Sequence, residues 1–442
     1  MPDAEANVAV ADVAAAHGAG RVAEARALVD RLLTQKPGDG DALMWSGFVA
    51  MSELRWPEAT AAFEQALAAR TDPWSLANLG ACYAKVGRLD DAERSLRRAT
   101  EIKPNLLGAH IGLAAALHGL RRFDEALARL DAAEAVASND HQAALRRGCT
   151  LVELGRFDEA QAAFGLAAAR ATDFTFPRLV RFDRATFDAV TAGPPVILPP
   201  DVEYESGGAG VRGVVVVSCN PPYARKYGAP FLRSYAEHAH TGHLLHLHIP
   251  DPDERIVDEM REVASRAGLA SLRITTEDSP FPETEPQQRK AFYACARLLH
   301  LPYWLDAYQA PMLVMDVDFI VESPLTSLFE AAAGHDLALN ARHPIDSPWL
   351  DIIANVIVAN PTPAARRYFS AVARYALTYL AREPKAWLVD QAALFCVLKM
   401  LERYSTPPTV RWLPQAHQSG LWHIGHVYDH LLDDPRFQRY AR

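Results

Sequence analysis

The sequence has no run of about 20 apolar residues, the length that a membrane-spanning helix requires. Its first segment, MPDAEANVAVADVAAAHG, carries acidic residues where a signal peptide carries basic ones. Cysteine is scarce, with five residues that are widely separated and form no CxxC arrangement. These absences argue against a membrane span, a disulfide framework and a cysteine zinc site, and they predict a cytoplasmic protein with reduced, buried thiols.

Positive charge is not in excess either, because the chain has 45 Lys and Arg residues and 54 Asp and Glu residues, which gives a net charge of -9. A nucleic-acid-binding protein usually has a basic footprint, so we expect no nucleic-acid partner. Half of the residues are apolar and 22% are charged, which is typical of a folded, soluble chain. A chain of 442 residues is long enough for at least two independent cores.

One short element recurs five times in the first 170 residues, as GRVAEA, LRWPEA, GRLDDA, LRRFDEA and GRFDEA. The alanines that end these elements are separated by 34, 33, 34 and 34 residues: Ala25, Ala59, Ala92, Ala126 and Ala160. A second small residue keeps the same phase, at Gly47, Gly80, Ala114 and Gly148. Small residues at this interval let two antiparallel helices approach closely, with a Gly-Arg or Leu-Arg turn between them.

This period and pattern resemble those of tetratricopeptide repeats. We therefore expect residues 1–170 to form an all-helical superhelix of about five helix pairs, with a concave surface that binds a protein or peptide. Two alternatives are that the array only joins copies of the chain into a homo-oligomer or only supports the second domain.

The character of the sequence changes after residue 170. Residues 171–210 contain PP twice and a GGAG run, which is typical of a connector between domains. From Gly213 onward, short apolar runs alternate with amphipathic segments. This alternation predicts an α/β domain over residues 211–442, with a mostly parallel sheet covered by helices on both faces.

Two carboxylates interrupt the apolar run MLVMDVDFIV, at Asp316 and Asp318. If this run is one strand, alternation sends both side chains to the same face, at a sheet end where ligands commonly bind. Paired buried carboxylates are costly without a compensating cation, so the pair predicts a site for Mn²⁺ or Mg²⁺.

The Asp-x-Asp pair and its setting resemble the GT-A nucleotide-sugar glycosyltransferases, in particular the retaining, glycogenin-like families. The resemblance covers about Val211 to His426 and implies a Rossmann-like GT-A fold. It also implies that an arginine on the preceding helix contacts the donor's diphosphate, which here corresponds to Arg297. Lys290 lies seven residues earlier and shares that helix face, either as a second diphosphate contact or as part of a solvated surface.

The resemblance implies further site residues in the second half of the domain. Asn355, in IIANVIVANP, corresponds to an asparagine beside the acceptor, although the glycine that usually follows it is missing. Asp390 and Gln391 correspond to an Asp-Gln pair at the start of a helix, close to the reacting sugar, where they would orient the sugar or the acceptor. The alternative reading of Asp390 is an ordinary helix cap.

The family's third metal ligand is a histidine near the C-terminus. His423 is our first choice, with His417 and His426 as the alternatives, and the Lys-Pro-Trp sequence that accompanies this ligand in the family is absent. The family holds the nucleotide base in the loop after the first strand, which here contains Ser218, Cys219, Asn220 and Tyr223.

Five histidines in EHAHTGHLLHLHI suggest another metal site. They straddle a helix end, a turn and a strand, so their spacing does not bring them together on one zinc ion.

The sequence thus predicts a metal-dependent glycosyltransferase that moves a sugar, with retention, from a nucleotide-sugar to a protein or peptide on the repeat array. A UDP-sugar is the first expectation for the donor. The alternatives are a scaffold protein with an inactive transferase domain, and a transferase that acts on a saccharide or lipid-linked glycan.

Overall fold

The computed structural model describes residues 9–171, 176–194, 198–206, 211–238, 242–269, 271–341, 352–383, 388–413, 421–423 and 435–441. The chain divides into two compact units, Met1–Thr172 and Asp173–Arg442. Among the described residues, none of the helices combines the length and the apolar character that crossing a bilayer requires.

The described part of the first unit is entirely helical. Its ten helices are α1 (Val10–Gly18), α2 (Val22–Gln35), α3 (Gly40–Ser52), α4 (Trp56–Ala69), α5 (Pro73–Lys85), α6 (Leu89–Ile102), α7 (Leu107–Gly119), α8 (Phe123–Val136), α9 (His141–Glu153) and α10 (Phe157–Arg170). Each helix packs against the next, and α5, α7 and α9 also pack against one another in succession. These are the five helix pairs that the period predicts.

The turn inside each pair has the same backbone conformation. One residue of each turn has a positive φ: Gly20, Leu54, Gly87, Arg121 and Gly155. These positions follow the 33- and 34-residue spacing of the sequence repeat. Glycine supplies this left-handed conformation at three of the five turns, since it has no Cβ to clash with the backbone.

The small residues at the second repeating position let the paired helices approach closely. A Cβ added at Gly47 would lie 2.7 Å from the Phe63 ring, and one added at Gly80 would lie 2.4 Å from Cγ of Leu96. Gly148 is opposed by Phe164 in the same way. The large side chain on the second helix therefore fills the space that the glycine leaves on the first.

We expect Gly80→Ala to destabilise the protein by about 1–2 kcal/mol, because overpacking against Leu96 outweighs the gain in helix propensity. Gly165→Ala is the matched control. Gly165 also lies inside a helix, but an added Cβ would meet nothing within 4 Å, so this change should stabilise the protein by about 1 kcal/mol. Urea unfolding of both variants measures the two effects, and equal shifts of the same sign would contradict the packing argument.

The second unit combines helices with a mixed sheet. Its described helices are α11 (Phe176–Leu179), α12 (Arg184–Thr191), α13 (Pro221–Tyr223), a π-helical turn (Ala224–Gly228), α14 (Ala229–His238), α15 (Ile256–Arg266), α16 (Pro286–Leu299), α17 (Leu301–Tyr308), α18 (Thr326–Ala331), α19 (Pro363–Leu380), α20 (Val389–Tyr404) and α21 (Pro435–Ala441). Residues of the predicted connector thus form α11, α12 and the first strand, within the second unit.

The described strands form an eight-stranded sheet and a two-stranded one. They are β1 (Val202–Ser206), β2 (Gly213–Ser218), β3 (His243–Pro250), β4 (Leu272–Glu277), β5 (Met312–Met315), β6 (Phe319–Val321), β7 (Leu337–Ala341), β8 (Ile352–Ala359), β9 (Val410–Leu413) and β10 (Leu421–His423). The large sheet has the order β1-β4-β3-β2-β5-β8-β7-β9, and β6 pairs with β10.

The large sheet is mixed, and four of its seven strand pairings are parallel, including that of β7 with β9. Strands β4, β3, β2 and β5 form a parallel block, whereas β1 pairs antiparallel with β4 and β8 pairs antiparallel with both β5 and β7. One face of the block packs against α14 and α15, with alternate residues such as Val215, Val217 and Leu247 in the core. Helix α16 packs against β2 and β3.

Two sequence-based boundaries were wrong. MLVMDVDFIV is not one strand, because β5 ends at Met315 and β6 begins at Phe319. Residues 289–308, RKAFYACARLLHLPYWLDAY, have a pattern that predicts one long helix, but the helix divides at His300, between α16 and α17. Pro302 follows this break, and proline is favoured in the first turn of a new helix.

Candidate active site

Asp316 and Asp318 lie in the short turn between β5 and β6, at the carboxyl end of a parallel strand. The two residues lie in a turn and not in one strand, so the alternation of side chains along a strand, which predicted that both point to the same face, does not apply to them. Its first residue is held by the neighbouring strand, since the Asp316 amide donates to the Asn355 carbonyl at 3.2 Å. Asp318 is buried, with 6% exposure, while the Asp316 side chain is 29% exposed.

Arg297 comes from α16 and reaches the same turn. Its guanidinium lies 2.6 Å from Oδ1 of Asp316 and donates to the Ala354 carbonyl at 3.0 Å. The side chain is only 5% exposed. Arg297 therefore neutralises Asp316 and ties the turn to β8.

Asp390 and Gln391 lie in the first turn of α20, as the sequence predicts. Oδ1 of Asp390 accepts the Gln391 amide at 2.8 Å, which is a local capping contact. Burial raises the pKa of Asp390, and the nearby Arg297 charge acts in the opposite direction. Oε1 of Gln391 is buried without a hydrogen-bond partner in the described structure, which leaves an acceptor for a ligand hydroxyl.

The loop after β2 borders the carboxylates. Burial and the Asp318 charge raise the pKa of the Cys219 thiol to about 12, and they have the same effect on Tyr223. The Asn220 side chain caps the short helix that contains Tyr223, accepting its amide at 3.4 Å. Oγ of Ser218 is buried and, within the described residues, has no hydrogen-bond partner. Asp316 and Asp318 together carry more negative charge than the single Arg297 guanidinium neutralises, so the site suits a divalent cation better than an anion.

Asn355 contributes to the candidate site through both its backbone and its side chain. Its carbonyl holds Asp316, and its Oδ1 accepts Nδ2 of Asn340 at 2.9 Å. Asn340 is buried and was not singled out from the sequence, because nothing in the local pattern of β7 marks it.

The remaining predicted site residues are the three candidate histidine ligands and Lys290. The His423 backbone pairs with Phe319, the residue after Asp318, whereas His417 and His426 lie outside the described residues. Lys290 is exposed and lies about 10 Å along α16 from the buried Arg297, which favours the solvated surface for Lys290 over a diphosphate contact.

An open cleft of about 380 Å³ lies beside the same loop, lined in part by Asn220, Asp251, Arg289 and Tyr293. Asp251 immediately follows β3 and accepts hydrogen bonds from Tyr293 at 2.6 Å, from the Ser279 amide at 2.7 Å and from Arg289 at 2.5 Å. Sequence reasoning missed these residues. The signal was available for Asp251, which follows its strand just as the Cys219–Asn220 loop follows β2.

Asp251→Asn is expected to reduce the free energy of unfolding by about 2 kcal/mol at pH 7. Burial opposes ionisation of Asp251, but the bonds from Tyr293, Ser279 and Arg289 outweigh it and lower its pKa below 3.8. The contribution is therefore present above about pH 4 and is lost as the pH falls through the lowered pKa. Urea unfolding between pH 7 and pH 3 should show the difference between wild type and variant shrinking, and a constant difference would contradict the assignment.

Comparison with known proteins identifies the repeats in the first unit. Residues 83–149 match the family model of the tetratricopeptide repeat. No match was found among curated proteins.

Several solved structures are similar to part of this chain. The protein YrrB, described as a TPR protein with an unusual peptide-binding site, is 21% identical and has a TM-score of 0.34, with 38% of this chain and 88% of that chain covered. PilF of Pseudomonas aeruginosa is 17% identical with a TM-score of 0.35, covering 38% of this chain and 78% of that chain. MamA is 17% identical with a TM-score of 0.33, covering 36% of this chain and 93% of that chain.

The first unit therefore contains tetratricopeptide repeats, on the family match and the regular turns together. Arrays of such repeats are scaffolds for protein interaction. The second unit is a mixed α/β domain.

Proposed function

We propose that the protein is a metal-dependent glycosyltransferase of the GT-A type, which transfers a sugar from a nucleotide-sugar to a protein or peptide acceptor. The observation that carries this proposal is the grouping of Asp316 and Asp318 with Arg297, Asp390 and the loop after β2. The group sits at the carboxyl ends of parallel strands, where ligands of α/β sheets bind.

Asp316 and Asp318 would hold Mn²⁺ or Mg²⁺, with His423 as the proposed third ligand, which its backbone pairing with Phe319 supports. The excess of carboxylate charge over the single Arg297 guanidinium at this turn favours a metal, because a divalent cation would neutralise it. When bound, the cation would stabilise the negative charge on the departing diphosphate.

The protein's own groups would position the donor. Arg297 fixes the orientation of Asp316 and adds positive charge where the diphosphate leaves. Oγ of Ser218 and the cleft beside Asp251 and Tyr293 offer hydrogen bonds and an aromatic face to the nucleoside. Oε1 of Gln391 would accept a sugar hydroxyl, and Asp390 and Asn355 would orient the sugar or the acceptor.

The repeats would supply the acceptor. An array of tetratricopeptide repeats binds extended peptides or proteins, so we propose that the first unit recruits the protein to be glycosylated. The retaining outcome is the expectation that the resemblance to glycogenin-like enzymes implies.

Calorimetric titration of the full chain with UDP, GDP and their sugar conjugates, with and without Mn²⁺, tests the proposal. We expect one nucleotide, first of all UDP, to bind only when the metal is present. Mass spectrometry of proteins co-expressed with the enzyme then tests for covalent sugar. If no nucleotide binds under any metal condition, the protein is a scaffold whose transferase domain is inactive.

A further inference from the structure

A second group of potential metal ligands lies on residues that the proposed transferase site does not use. His248 comes from β3, Glu277 from the end of β4, and His300 from the junction between α16 and α17. Each offers one ligand atom, and these atoms all lie within 4.8 Å of one another. Among the described residues, this is the group of three His, Cys, Asp or Glu side chains that lie close enough together to hold one metal ion.

The three side chains are almost inaccessible to solvent. Their exposures are 0% for His248, 12% for Glu277 and 3% for His300. A carboxylate that is buried in this way is costly unless a cation compensates it. The ion-pair partners of Glu277 in the described structure are the two imidazoles, at 2.8 Å and 2.7 Å, and not a lysine or arginine.

One hydrogen bond fixes a proton on Nδ1 of His300. Its Nδ1 lies 2.6 Å from the Leu198 carbonyl, an acceptor, so Nδ1 carries a proton. In the neutral ring, the lone pair of Nε2 would then face Oε2 of Glu277 at 2.7 Å. Two acceptors at this separation repel each other, so a cation must bridge them: either a second proton on His300 at the present 2.7 Å, or a metal ion once the two atoms move about half an ångström apart.

In both histidines, the ring nitrogen that faces away from Glu277 has a hydrogen-bond partner of the kind that metal-bound histidines have. A metal-bound imidazole usually donates its other ring N–H to a carbonyl, a carboxylate or another polar group, which orients the ring. His300 has the Leu198 carbonyl in this position, and Nδ1 of His248 lies 2.8 Å from Oγ1 of Thr275. Both ring orientations are therefore set before any ion binds.

We propose that His248, Glu277 and His300 form a zinc site. Two imidazoles and one carboxylate are a donor set that zinc favours, with the fourth position left to water. Zinc would join β3, β4 and the α16–α17 junction, and through His300 it would hold the Leu198 segment against them. Of the five clustered histidines in the sequence, only His248 takes part, together with two residues from elsewhere in the chain.

The test begins with the variant that carries Asp316→Asn and Asp318→Asn, so that zinc at the proposed transferase site does not contribute. After treatment with a chelator, this full-length protein is titrated with Zn²⁺ by calorimetry. We expect one zinc ion per chain, with a dissociation constant tighter than about 1 µM, and a higher melting temperature in the bound form.

Glu277→Gln and His300→Gln, each in the same background, should weaken zinc binding at least about 100-fold. Circular dichroism checks that each variant is folded. Substitution with Co²⁺ gives a second readout, since a four-coordinate Co²⁺ site absorbs in the visible region and the variants should lose this absorption.

Either of two results would overturn the proposal. The first is a folded background protein that binds no zinc; NMR at pH 7 that shows both ring nitrogens of His300 protonated would then identify a proton as the cation. The second is unchanged zinc affinity in both Gln variants. Neither result bears on nucleotide binding by the wild type, so this proposal and the transferase proposal can fail separately.

Discussion

Asp316→Asn combined with Asp318→Asn is expected to weaken Mn²⁺-dependent binding of the UDP-sugar at least about 100-fold, or about 3 kcal/mol. Asparagine keeps the size of each side chain but removes the charge that a divalent cation requires. Sugar transfer should fall by a larger factor, because the metal also stabilises the charge that develops on the leaving diphosphate. Calorimetry with and without Mn²⁺ measures the first effect, and product formation measures the second.

A matched control removes the same amount of charge elsewhere in the second unit. Asp188 and Asp258 are exposed carboxylates, with 56% and 85% of their side chains accessible, and among the described residues each pairs with an arginine close by in its own helix. Replacing both with asparagine should leave nucleotide affinity unchanged. If the wild type and the Asp316 and Asp318 double variant bind the UDP-sugar with equal affinity in the presence of Mn²⁺, the two carboxylates do not hold a metal that donor binding requires.

Local patterns were sufficient to predict the first unit. Each repeat is specified within about 34 residues, by a turn that needs a positive φ and by a small residue opposite a large one, as Gly80 lies opposite Leu96. Both requirements appear directly in the spacing of residue types, so the period, the number of helix pairs and the position of the close contacts could be predicted.

The second unit shows why a motif that is visible in the sequence can be given the wrong local structure. Apolar residues flank Asp316 and Asp318 on both sides, which is what one continuous strand would also require. The chain instead leaves the large sheet at Met315 and enters the two-stranded sheet at Phe319. Hydrophobic periodicity does not distinguish one long strand from two short strands in different sheets.

The partners of the candidate site residues depend on contacts between distant parts of the chain. Arg297 donates to Ala354, 57 residues away, and the two histidines of the proposed zinc site lie 29 and 23 residues from Glu277. Residue spacing within one helix or strand holds no information about these contacts. The sequence could therefore suggest Arg297 as a functional residue, but not its ion pair with Asp316.

Arg297→Met is expected to lower the free energy of unfolding by about 3–5 kcal/mol. The substitution fills a similar volume but leaves Asp316 without its 2.6 Å partner and leaves the buried Asp390 without the nearby positive charge. Removing a buried cation costs more than its ion pair contributes, because the charge of the buried Asp390 stays out of water and that of Asp316 is only partly exposed. Arg266→Met, which breaks an exposed pair with Glu262, is the control and should cause little change.

The double variant Arg297→Met with Asp390→Asn separates the charge effect from the loss of packing. Asparagine at position 390 can still accept the Gln391 amide but needs no compensating charge. We therefore expect the second change to restore about 1–2 kcal/mol of the loss, measured by urea unfolding of the wild type, both single variants and the double variant. Additive single effects would mean that Arg297 does not compensate Asp390. A fully stable Arg297→Met protein would mean that the turn between β5 and β6 holds its two carboxylates without the guanidinium.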